Sequence, residues 1–153
     1  MLTAKKVISW GWSMVLGRAG EWQVYLALEA DEGMKEAIQE KIDEWDKYVA
    51  MTEEVFYGEC NKLKIRLSGV LITEKNEVLA VSKGGSVLLQ REGRMGKLVM
   101  SSKKEMEVKK GKVKEGDELL LIAGAKEQSM MTIEMQMVDW DKMVVMATEE
   151  ELG

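Results

Sequence analysis

The alternation of apolar and polar positions divides this chain into short strands around a single helical stripe. From Val7 to Leu16, the residues Ile8, Trp10, Trp12, Met14 and Leu16 alternate with Ser9, Gly11 and Ser13, the period of two expected of a half-buried strand. Gly17, Arg18, Ala19 and Gly20 turn the chain. Trp22, Val24, Leu26 and Leu28 then alternate against Gln23 and Glu29, so the two segments predict an antiparallel hairpin. After Asp31 the period changes. Met34, Ile38, Ile42, Trp45 and Val49 recur at spacings of four and three, which places them on one stripe of a helix over about 33–50. Asp31 and Glu32 stand where a helix N-terminus is best capped. The other face carries Lys35, Glu36, Glu40, Lys41, Asp43, Glu44 and Lys47, a solvated mixed-charge surface.

Periodicity is poor between Ala50 and Asn61, which reads as a connection through Tyr57-Gly58 with Phe56 as its buried anchor. Leu63, Ile65 and Leu67 alternate with Lys62, Lys64 and Arg66 before Val70-Leu71-Ile72, predicting a long strand kinked or bulged at Gly69. Glycine-bearing turns separate the apolar runs at Val78, Val87 and Lys97, the signature of an antiparallel meander. Lys103, Lys104, Lys109, Lys110, Lys112 and Lys114 surround Met106 and Val108, which suits an edge strand that resists pairing better than a basic patch. Gly116-Asp117 turns into Leu119 to Ala123, an apolar run typical of a strand buried on both faces, and the run stops at Gly124. Met131, Ile133, Met135 and Met137 alternate as a strand would, although Met, Glu and Gln favour helices, so 130–138 stays open between the two with strand preferred. Met143 to Met146 reads as a closing strand, and Glu149 to Glu151 as an acidic tail.

At 153 residues the whole chain, 1–153, fits one domain with a real core. A net charge of -5 gives no basic field to attract nucleic acid. The one cysteine, Cys60, can form neither an internal disulfide nor a zinc cluster, so a reducing, cytoplasmic setting is the default. No apolar run of about eighteen residues is present to cross a membrane, and the N-terminus lacks a secretory signal pattern. Histidine is absent altogether, which removes the commonest general acid-base and metal-ligating side chain.

In this order the pieces resemble the metal-dependent protein phosphatase family, of the phosphatase 2C or PPM type. Gly17, Arg18 and Glu21 resemble the family's Gly-Arg turn and Glu-Asp pair, with Trp22 where the Asp is expected. Asp31-Glu32-Gly33 before the helix resembles its Asp-Gly element, and Leu67-Ser68-Gly69-Val70 its Ser-Gly strand. Gly84-Gly85-Ser86 followed by Gly93 resembles its Gly-Asp-Ser turn and Arg-Gly hairpin. Gly116 to Ala125 resembles its Gly-Asp strand, and Asp141 to Val145 its terminal Asp-Asn strand. The resemblance implies an α+β fold, an antiparallel β-sandwich of two sheets with one main helix, about 33–50, on an outer face. A closed barrel would contradict it.

In that family, the resemblance implies, aspartates hold two divalent cations whose bridging water attacks a phosphoester, because hard Mg and Mn ions prefer carboxylate oxygens. Here Asp31 and Asp141 are the remaining candidate ligands, both vestigial, while Trp22 and Gly124 occupy degenerate positions. Arg18 resembles a phosphate-contacting arginine and suits an anion. The simpler accounts are a helix cap for Asp31, a turn residue for Asp141, a solvated turn for Arg18 and an unreactive thiol for Cys60. The expectation is a catalytically impaired, pseudophosphatase-like domain with no catalytic residue and no cofactor, acting through a protein partner or homo-oligomer. A minimal Mg- or Mn-dependent serine/threonine phosphatase with an unusual ligand set, and an unrelated β-rich interaction module, are the alternatives.

Overall fold

The computed structural model describes residues 7–10, 12–18, 21–73, 75, 77–101, 105–114 and 116–123. The expected hairpin forms from β2 (Trp12–Arg18) and β3 (Trp22–Glu29), paired from Trp12 opposite Leu28 to Arg18 opposite Trp22. The first alternating segment is nevertheless two strands. Its start, β1 (Val7–Trp10), lies in a different sheet from β2, so the two halves of the segment belong to different layers.

The helical stripe is α1 (Glu32–Asp43) continued by a 3-10 turn, Glu44–Lys47. Ile38, Ile42 and Trp45 are buried as the spacing predicts, whereas Met34 and Val49, at the ends of the stripe, are exposed. The predicted connection that follows is a second helix, α2 (Glu53–Lys62). Thr52 caps it by accepting the N–H of Val55 at 3.1 Å, and Glu53 and Glu54 complement the dipole of its first turn. Its inner face is Phe56 and Cys60, with Leu63 at the C-cap, a four-then-three spacing like that of α1. Phe56 is fully buried and meets Trp45 edge-on at 6.5 Å between ring centroids.

Next come β4 (Arg66–Thr73), β5 (Glu77–Lys83), β6 (Gly85–Arg91), β7 (Arg94–Ser101), β8 (Glu107–Lys112) and β9 (Glu118–Ala123). They complete two sheets, ordered β2-β3-β4-β5-β8 and β1-β9-β6-β7. Among the described residues the strands pair antiparallel except β1 with β9, which run parallel. β4 keeps an unbroken register with both neighbours through Gly69, so the expected bulge is absent. The glycine serves packing instead, since a Cβ there would come within 2.7 Å of Leu26 and 3.2 Å of Phe56.

The predicted meander is also divided. β5 and β6 sit in opposite sheets, and the change of layer falls at Gly84, whose φ of 71° favours glycine, followed by Gly85, where a Cβ would collide with the Ile122 carbonyl. β8 is the lysine-rich edge strand that its composition predicts.

The five-stranded sheet is the middle layer. Val24, Leu26, Leu28, Leu67, Leu71, Leu79 and Val81 face the helices and join Ile38, Ile42, Trp45 and Phe56 in one core. Tyr25, Ala27, Val70, Ile72, Val78 and Ala80 point the other way and meet Val87, Val99, Leu119 and Leu121 of the second sheet. Burial on both faces explains why β3, β4 and β5 read as almost continuous apolar runs. β9 lies between β1 and β6, so its run Leu119 to Ala123 fills a central position, as the sequence predicts. Gly124, Asp141, Trp140, the 130–138 segment, the closing strand and the acidic tail lie outside the described residues.

Candidate functional site

Pairing registers assign the described candidate residues, Arg18, Trp22 and Asp31, to one end or the other of the middle sheet. Arg18 and Trp22 face each other at one end of the β2–β3 hairpin, while Asp31 follows the opposite end, where Trp12 pairs with Leu28. β3 has eight residues, and at about 3.3 Å of rise each the two ends lie roughly 23 Å apart. Arg18 and Asp31 therefore cannot grip one phosphate group.

The strands passing Asp31 gather further residues at its end. Leu28 pairs with Leu67, Leu67 with Lys83, and the chain crosses at Gly84-Gly85 to pair with Ala123, the last residue of β9. Several of the polar groups gathered there bond within the fold, while the buried Ser86 hydroxyl has no hydrogen-bond partner. The Ser68 and Ser82 hydroxyls lie 3.0 Å apart, and Ser68 also donates to the Ile122 carbonyl. Lys83 is buried and donates its ammonium to the Leu63 carbonyl. Burial, with Lys64 adding repulsion, holds the Lys83 ammonium below the usual lysine range. Cys60 is fully buried in the same core, and burial pushes its thiol well up. It is an inert packing residue.

Three carboxylates stand near α1 at this end. Glu29 faces Arg66 at 4.0 Å, and Glu32 pairs with Lys35 at 2.9 Å. Asp31 is exposed at the N-cap position with an extended backbone, and its side chain makes no capping hydrogen bond. Among the described residues no group of three or more Asp, Glu, Cys or His is placed to hold a metal ion. Asp31 by itself does not make a cage for a pair of divalent ions.

The opposite end is latched by charged side chains. Arg18 donates from Nε to the Tyr48 carbonyl at 2.9 Å and from a terminal nitrogen to the Asp46 carbonyl at 3.2 Å, tying β2 to the 3-10 turn and the residue that follows it. Trp22 is 2% exposed and packs in the helical core, with its indole N–H unpartnered. Arg91 at the end of β6 grips Asp117 with two nitrogens at 3.0 and 2.7 Å and also donates to the Lys112 carbonyl. Asp117 in turn accepts the Lys114 N–H, closing the turn before β9. Burial raises the Asp117 carboxyl, but hydrogen bonds from Arg91 and Lys114 and the Arg91 charge outweigh it and hold the group below the ordinary range.

A groove of about 270 Å³ opens beside the Arg18 latch, between Lys41, Trp45, Tyr48, Glu59 and Lys62. The Tyr48 hydroxyl donates to Glu59 at 3.1 Å, and Lys62 approaches the same carboxylate at 3.3 Å. This groove is not foreseen from the sequence, because Glu59 on its second wall falls in the segment that reads as a connection and is α2 in the structure.

No protein-family model matches the chain, and no curated protein matches its sequence. Solved structures do match its shape. The phosphatase domain of the cell fate determinant SpoIIE from Bacillus subtilis superposes with a TM-score of 0.51 at 14% identity, over 74% of this chain and 60% of that one. A longer SpoIIE structure, the PP2C phosphatase domain with a fragment of the regulatory domain, gives a TM-score of 0.50 at 10% identity, over 69% of this chain and 37% of that one. This chain has the fold of PP2C-type phosphatase domains, two stacked sheets with helices outside. It spans three fifths or less of the length of these two structures.

Proposed function

We propose that this domain uses the PP2C fold for protein binding or regulation rather than for phosphoester hydrolysis. The carrying observation is the state of the Asp31 end. Of its three carboxylates, Glu29 and Glu32 face basic partners, and Asp31 stands apart from Arg18 by the length of a strand. Two divalent cations in one site repel strongly unless several carboxylates neutralise them. Ser68, Ser82 and Lys83 do not supply that charge, since their polar atoms bond within the fold. Arg18 anchors a loop through two backbone carbonyls, a structural use of the residue that resembles a phosphate ligand.

The test is hydrolysis of p-nitrophenyl phosphate with and without manganese, alongside a thermal shift titration with the same ion. The proposal expects no manganese-dependent turnover and no rise in melting temperature, because an ion bound to the native state must stabilise it. Manganese-dependent turnover that Asp31→Ala abolishes would sink the proposal and establish a minimal phosphatase.

A further inference from the structure

The two outer strands of the middle sheet are built differently. β8 carries Lys109, Lys110 and Lys112 and is exposed along most of its length, the protection expected of an edge that must not pair. β2, the opposite edge, reads WSMVLGR, with no charge before its last residue. Among the described residues β2 is paired on one side only, with β3. Ser13, Val15 and Gly17 on one of its faces are exposed, and Val15 is 68% exposed beside the Tyr25 ring position across the hairpin. A seven-residue edge whose first six residues carry no charge, with an exposed valine at its centre, is a template for another strand.

We propose that β2 pairs antiparallel with β2 of a second copy of this chain, joining the two middle sheets into one. The strand is self-complementary about Val15. A two-fold axis perpendicular to the sheet through that residue sets Val15 opposite Val15, Met14 opposite Leu16, Ser13 opposite Gly17 and Trp12 opposite Arg18. Residues that match in parity keep their faces. Trp12, Met14 and Leu16, which lean on the helical core, thus extend the partner's apolar stripe. The two exposed valines cover each other, and each Trp12 lies opposite the aliphatic stem of Arg18, whose guanidinium stays on the Tyr48 and Asp46 carbonyls. β8 cannot do this, because self-pairing would set its lysines against one another. The interface is isologous and closes at two copies. It is independent of catalytic competence, and its failure would leave the reading of the Asp31 end untouched.

Sedimentation of the full chain at about 200 μM, roughly where weak self-association becomes visible, should show twice the 17.3 kDa of one chain. Val15→Lys should sediment as a monomer with unchanged circular dichroism, since an exposed site tolerates the charge but two facing lysines do not. Opposite residues in an antiparallel pair approach closely enough to be bridged, so V15C should form a covalent dimer on mild oxidation while E107C on β8 should not. A monomeric parent, a V15K variant that stays dimeric, or crosslinking through E107C in place of V15C would each overturn the proposal.

Discussion

The two ends of the middle sheet differ in how they use charge. At the Arg18 end two arginines hold chain to chain, Arg18 to the Tyr48 and Asp46 carbonyls and Arg91 to Asp117 and the Lys112 carbonyl. At the Asp31 end the serines and Lys83 are turned inward, and Asp31 itself remains exposed with no capping hydrogen bond. A residue that resembles a ligand by motif can thus be a latch, and the difference is visible only in its partners.

The largest break should come from Asp117→Asn. It removes a carboxylate that is 5% exposed from a two-nitrogen grip and leaves Arg91 without its counter-charge. A loss of about 2–3 kcal/mol at pH 7 is expected by urea denaturation. The pH dependence follows from the direction of the shift. A carboxyl held below its ordinary value contributes fully above about pH 4, and that contribution is lost as pH falls through the folded-state value. The parent should therefore weaken on acidification more than the Asn variant does; parallel acid limbs would show that the pair is not a latch.

Arg18→Ala comes next, at about 1–2 kcal/mol, because two backbone carbonyls lose a charged donor. Its melting temperature should fall with no change in phosphate affinity measured by calorimetry. If phosphate binding disappears instead, Arg18 belongs to a site and the contrast between the ends fails.

Gly124→Asp adds a carboxylate next in sequence to Ala123, the last residue of β9, whose partner Gly85 adjoins the Asp31 end. At ten times its dissociation constant manganese should stabilise this variant by about 1.4 kcal/mol, and adding Asp31→Ala should remove the effect. A variant that responds to manganese no better than the parent would show that the two positions do not share an ion. The smallest effect belongs to Asp31→Ala in the parent, about 0.5 kcal/mol or less, since only the helix dipole loses a partner. A larger drop in melting temperature would reveal a role the exposed side chain does not show.

Much of the fold was legible from period alone. The β2–β3 hairpin, the Ile38-Ile42-Trp45 stripe and the buried run of β9 all follow from apolar spacing, because each element must bury one or both faces. α2 was missed although its signals were present, Thr52 before Glu53-Glu54 and the spacing of Phe56, Cys60 and Leu63. Gly58 drew attention as a turn, yet it lies in open space on the helix and needs no special conformation. Gly69 misled in the same way, since an allowance for Leu26 and Phe56 looks in sequence like a break in the strand.

The candidate site was less legible, and the reason is geometric. Sequence order correctly suggested the PP2C fold, but Arg18 and Asp31, thirteen residues apart in number, are separated by the length of β3 because a hairpin returns the chain to its start. The sequence by itself determined the elements and their buried faces, since those depend on local period and the need to remove apolar surface from water. Only the tertiary structure decided which sheet each strand joins, which end each charged residue occupies, and what each guanidinium and carboxylate holds. Those are consequences of pairings between residues far apart in the chain, which no local pattern encodes.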